Sequence, residues 1–179
     1  MSMKARRLRI ALMVVLAAAG ACAAGAACAQ GTAAAPDGNT LAQLARAAGV
    51  QKCVPAAGAV NASMTGNGTE HGALIMTHPA APDAAMFGAS VERTTPRGPS
   101  LVSAWFAPTP RGNCDVAYDM VDVWPKACTD VAREIFGHAQ PLAVVARSIG
   151  VIQLGPTHHV YLVATPGGCV SIRKEVIYP

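Results

Sequence analysis

HVYLVATPGGCVSIRKEVIY, residues 159–178, is the stretch that decides the fold. Residues 159–165 and 169–178 are two runs rich in β-branched side chains, and Pro166-Gly167-Gly168 separates them. Two such runs around a short Pro/Gly connection form an antiparallel hairpin. Val160, Leu162 and Ala164 alternate along the first run, as do Val170, Ile172 and Val176 along the second. Ser171, Arg173 and Glu175 then point the other way, so one core face and one wet face are expected.

Working outward, residues 142–147 and 149–154 are aliphatic strands, and Gly155-Pro156 turns the chain into the hairpin. Four more strands are expected at 73–77, 86–93, 101–107 and 115–124, with Pro- and Gly-rich turns between them. In the last of these Val116, Tyr118 and Met120 share one face while Val121 and Val123 take the other. That pattern suggests a bulge or a strand buried on both sides. Asn39 or Thr40 caps a first helix carrying Leu41, Leu44, Ala45 and Ala48 on one face, and Gly49 stops it. Pro125 opens a second helix with Cys128, Val131, Ala132 and Ile135 on one stripe, ended by Gly137. Residues 55–69 have no apolar period and read as a loop. The expected fold is α+β, a mainly antiparallel sheet of about six to eight strands with two short helices on one face. Residues 39–179 form this single, disulfide-braced domain, and 30–38 form a flexible tether.

Residues 1–29 read as an export signal. Lys4, Arg6, Arg7 and Arg9 precede a ten-residue apolar run at 10–19, and Ala27-Cys28-Ala29 is a small-x-small cleavage site. Cys22 and Cys28 follow small residues, but the positions three places earlier hold Ala19 and Gly25 where a lipid-attachment site has a large aliphatic residue. Cleavage after Ala29 is therefore preferred to a lipid anchor, and the expected location is the periplasm or the exterior. The run is too short for the roughly 20 residues of a membrane span.

Four of the 14 Lys and Arg lie in this segment and all 10 Asp and Glu lie beyond it, so the formal charge of +4 falls to zero after processing. Nucleic acid is excluded as a partner, because binding phosphate needs clustered positive charge. Aromatics make up only 4% of the chain, so the core must be built from aliphatic side chains and alanine.

Cys53, Cys114, Cys128 and Cys169 remain after cleavage, an even set in an exported chain, which reads as two disulfides. No pair is spaced for zinc or as C-x-x-C, so no metal or cofactor is expected. Cys114 and Cys128 flank an extended strand about 30 Å long, whereas a bridge tolerates Cα separations of only about 7 Å. Of the two connectivities left, Cys114–Cys169 with Cys53–Cys128 is favoured, since Cys114 and Cys169 both follow Gly-containing turns at strand starts.

No local motif carries catalysis. The histidines, His71, His78, His138, His158 and His159, have neither H-x-x-x-H nor H-E-x-x-H spacing. Asp115 and Asp119 share a strand face about 13 Å apart, beyond the separation of paired glycosidase carboxyls, and Asp122 points to the opposite side; a solvated strand face is expected. Ser63, Ser90, Ser100, Ser103, Ser148 and Ser171 lie in no G-x-S-x-G or S-x-x-K setting. The glycine-rich loop at 65–72 lacks the lysine of a P-loop and reads as a connector. Neighbours on a strand face opposite sides, so Trp105 or Phe106 packs while the other is exposed; the core has first claim on large side chains. An exposed Trp105 is an interface anchor, and His71, His158 and His159 are the other candidate interface residues.

By elimination the expected function is a small envelope protein acting as a binding or accessory module. It would inhibit, neutralise or chaperone another envelope or secreted protein. Two alternatives stand beside it: a cell-wall or ester hydrolase whose residues converge only in the fold, and a structural envelope component.

Overall fold

The computed structural model describes residues 40–65, 71–137, 141–145 and 147–179. The expected export segment and tether, most of the glycine-rich loop and His138 lie outside them. The elements run α1 (Thr40–Ala47), α2 (Val54–Thr65), β1 (His71–Met76), β2 (Phe87–Thr95), β3 (Gly98–Pro108), β4 (Cys114–Trp124), α3 (Cys128–Ile135), β5 (Pro141–Val145), β6 (Ile149–Gly155), β7 (His158–Thr165) and β8 (Gly168–Ile177). The eight strands form one antiparallel sheet in the order β1-β2-β3-β4-β8-β7-β6-β5.

Helix α1 ends as expected, with Gly49 at φ +88° in a conformation only glycine adopts readily. Helix α2 replaces the expected loop, so there are three helices where two were expected. Pro55 sits in its first turn, where a missing N–H costs nothing. Val54, Ala57, Val60, Asn61 and Met64 are buried at helical spacing. The positions between them are largely alanine and glycine, so the apolar stripe does not stand out from its surroundings. Asp83 accepts backbone N–H bonds from Gln51 at 2.7 Å and Lys52 at 2.8 Å, pinning the α1–α2 linker to the β1–β2 connection.

The bridges are Cys53–Cys114 and Cys128–Cys169. The exclusion of Cys114–Cys128 fits the unbroken β4, but the favoured pairing is overturned. Strands β4 and β8 are antiparallel neighbours, and Cys169 lies opposite Trp124 at the far end of β4 from Cys114. Cys114 and Cys169 therefore start their strands about 30 Å apart. Instead, one bridge fastens the start of α2 to β4 and the other fastens α3 to β8.

Strand β4 has no bulge; it keeps regular register with both neighbours. Cys114, Val116, Tyr118, Met120, Asp122 and Trp124 alternate onto its buried face. Asp122 is thus not solvated as expected, and its carboxylate pairs with Arg93 at 3.4 Å. Arg93 also donates to Met64 O and Ser100 Oγ.

The hairpin inverts the expected faces of β8. Thr165 pairs with Gly168 across a two-residue turn, which sets Arg173 opposite Val160, Ser171 opposite Leu162 and Cys169 opposite Ala164. Ser171, Arg173 and Glu175 therefore share the face of Val160 and Leu162, beneath the helices. Val170, Ile172 and Val176 occupy the other face. Both disulfides rise from the same side of the sheet, which places all three helices on one face. Two apolar clusters fill that side. One joins α1 and α2 to β1–β4 around Phe87, Phe106, Val91 and Val102. The other joins α3 to the hairpin around Trp124, Val131, Ile152 and Val160.

Candidate functional site

The face opposite the helices carries the largest group of exposed apolar side chains. Direct register pairs Met76 with Gly88, Gly88 with Trp105, and Trp105 with Ala117 across β1–β4. Because Gly88 has no side chain, the indole lies down on the strand: a Cβ at position 88 would sit 2.7 Å from Trp105 Cζ3 and 3.1 Å from Met76 Cε. Trp105 stays 44% exposed, Met76 51% and Met86 58%, while Phe106 is fully buried. Leu74 and Leu101 are exposed on the same face. Farther across, Val123, Val170, Val163, Ile149 and Val145 form one row, and Leu101, Val121, Ile172 and Tyr161 form the next, which ends on the buried Val151. The ion pair of Lys174 Nζ with Asp119 Oδ1 at 2.5 Å interrupts this face, and Glu92 opposite Leu101 and Asp115 opposite Ala107 also lie on it.

The candidate histidines do not converge. His71 pairs with Arg93 on the edge strand β1. His158 and His159 begin β7, five strand positions away, or about 24 Å at the usual spacing. His159 takes the register row of Lys174 and Asp119 on the helix-free face, and His158 takes the helix side. His78 caps a turn, its Nδ1 accepting from the N–H groups of Ala80 and Ala81. Among the described residues no cluster of three metal-ligating side chains exists. The serines beside buried elements have structural partners. Ser171 Oγ accepts from Trp124 Nε1 at 2.8 Å, Ser100 Oγ donates to Val121 O, and Ser63 Oγ donates to Val60 O.

A second constellation lies under the helices, and only His158 of it was singled out from the sequence. Register sets Tyr118, Glu175 and His158 side by side across β4, β8 and β7, with Arg173 one row along. The Tyr118 hydroxyl donates to Glu175 Oε2, and His158 Nδ1 stands 3.8 Å from that same oxygen. Burial, reinforced by the hydrogen bond to Glu175, raises the Tyr118 phenol above its ordinary range. Burial also lowers the His158 imidazole, with Arg173 and His159 adding to the effect and Glu175 opposing it. His158 Nε2, the atom that a catalytic base presents to its nucleophile, is buried and has no hydrogen-bond partner among the described residues. The row therefore joins an imidazole, a carboxylate and a phenol without an aligned serine, threonine or cysteine. A signal for it existed in the sequence, since hairpin register alone brings residues 158 and 175 together.

No family model, curated protein or solved structure matches this chain. No described helix is long and apolar enough to cross a membrane.

Proposed function

We propose that this chain is an exported binding module that engages another envelope or secreted protein through the helix-free face of its sheet. The observation that carries the reading is Trp105, held flat by Gly88 with Met76 at the same glycine and with Met86 exposed two residues before it. Tryptophan and methionine are enriched at the centres of protein interfaces, and thioethers mould to irregular partner surfaces. Uncharged aliphatic rows extend the patch toward β5, so the partner presents an apolar surface of its own. Two disulfides belong to an oxidising compartment, which supports the export reading. Inhibition, neutralisation and chaperoning are the outcomes such a grip produces.

The test is a photo-crosslinking amino acid placed at Met86 or Val123, with exposed Gln43 on α1 as the control. The expected result is one heterologous adduct from the first two positions only. Trp105→Ala should weaken that complex by roughly 30-fold or more, the scale of a hot-spot truncation, in a chain that still folds by circular dichroism. Adducts to the chain itself would support the structural-component reading instead. An unchanged affinity in Trp105→Ala would reject the proposed surface.

A further inference from the structure

Arg173 is the anomaly on the helix side. It lies half-buried on β8, one strand row from Glu175, with its guanidinium 5.8 Å from the centroid of the Phe136 ring at the end of α3. Arg93 and Arg133, by contrast, each reach a carboxylate. Arg173 reaches none among the described residues: its Nε is buried without an acceptor, and Glu175 is occupied by Tyr118 and His158. A guanidinium carries five N–H donors in a planar fork, and leaving one buried and unmet costs free energy that folded proteins normally avoid. Diagonal to it across the β7–β8 ladder stands His158, whose Nε2 is also buried and unmet. Two unmet nitrogen atoms capable of donating therefore stand at diagonal positions of one ladder, on the helix side of the sheet.

We propose that Arg173 and His158 form a binding site for a small carboxylate. The planar –CO₂⁻ group accepts from the Arg173 fork through Nε–H and a terminal N–H, and from His158 Nε2–H when the imidazole is protonated. The fork matches a flat carboxylate in geometry better than it matches a tetrahedral anion. Charge bookkeeping agrees. An incoming anion sets its charge against Arg173 and favours the protonated His158, and Glu175 at Nδ1 stabilises the imidazolium that results. Tyr118 has its hydroxyl committed to Glu175, and His159 points to the other face, so neither competes for the ligand. The site lies on the face opposite Trp105 and is independent of the protein-binding reading.

The experiment is an NMR titration of the full oxidised chain with sodium acetate and with succinate at constant ionic strength, following the Arg173 Nε–H and His158 ring signals. Saturable shifts at both groups, with the His158 midpoint moving to higher pH as the anion is added, are expected. Arg173→Gln should abolish the saturable shift of the His158 ring signals. His158→Gln should weaken binding by about tenfold, the value of one charge-assisted hydrogen bond. Arg173→Lys keeps the charge and loses the fork, so saturation should disappear in a chain that still folds. Shifts that never saturate, or that chloride reproduces, would mean an adventitious ion only and overturn the proposal. So would binding of inorganic phosphate in place of carboxylate, or acetate shifts that persist in Arg173→Lys.

Discussion

Removing one disulfide at a time, as Cys53→Ser/Cys114→Ser or Cys128→Ser/Cys169→Ser, tests the architecture most directly. The bridges close loops with sequence separations of 61 and 41. Chain-entropy arithmetic gives about 4.3 kcal/mol for the first and about 3.9 kcal/mol for the second. The two loops do not overlap, so the costs should add to about 8 kcal/mol, comparable with the whole stability of an ordinary domain. Each double variant should therefore fold with a lowered guanidinium midpoint by circular dichroism, while the cysteine-free chain should be largely unfolded at 25 °C. Hydrogen exchange should localise the first loss to α1 and α2 and the second to α3. The reasoning is refuted if either double variant loses less than about 1 kcal/mol, or if non-reducing peptide maps join Cys53 to Cys128.

Other outcomes follow from single positions. Asp122→Ala removes the carboxylate partner of the largely buried Arg93 and should cost about 3 kcal/mol in chemical denaturation, whereas a solvent-facing aspartate would cost almost nothing. Gly168→Ala places a Cβ 2.0 Å from Trp124 O at φ +153°, so the hairpin must shift and the thermal midpoint should fall by several degrees. His158, lowered mainly by burial, contributes stability that is complete above the ordinary imidazole value of about 6.5 and declines as pH falls through its own lower value. Urea midpoints measured across that range should drop in the parent chain and stay flatter in His158→Gln. Tyr118, raised mainly by burial, acts in the opposite direction. Its contribution is complete below about pH 10 and is lost as pH climbs beyond it, so one of the three tyrosines should ionise only with unfolding in an ultraviolet titration.

Eight strands and the helices α1 and α3 were legible because their apolar residues alternate or recur against a polar background. Helix α2 was not, because alanine on every side erases the contrast on which periodicity depends. The site was less legible than the fold. Trp105 announced itself as a large aromatic beside Phe106, but its exposure depends on Gly88 in the neighbouring strand. The Tyr118–Glu175–His158 row required the register across three strands. Composition misdirected the reading of β8: Val170, Ile172 and Val176 look like core, yet Ser171 serves the Trp124 indole and Cys169 must face α3 to form its bridge. Covalent and hydrogen-bonding demands outweighed hydrophobicity in choosing the face.

That choice gives the Cys128–Cys169 bridge a role beyond tethering. A one-residue slip of β8 against its neighbours would carry Ile172 inward and Arg173 outward, an exchange that hydrophobicity by itself favours. Hydrophobic patterning alone therefore does not select the native alignment of this strand; the Trp124–Ser171 and Tyr118–Glu175 hydrogen bonds and the cystine do. A cystine that closes only when Cys169 faces the helices works as a parity lock, and chains that assemble the sheet before that bond forms should populate the slipped isomer. The bond can close only when the last hairpin presents Cys169 to α3, so the cystine marks the native threading of that strand.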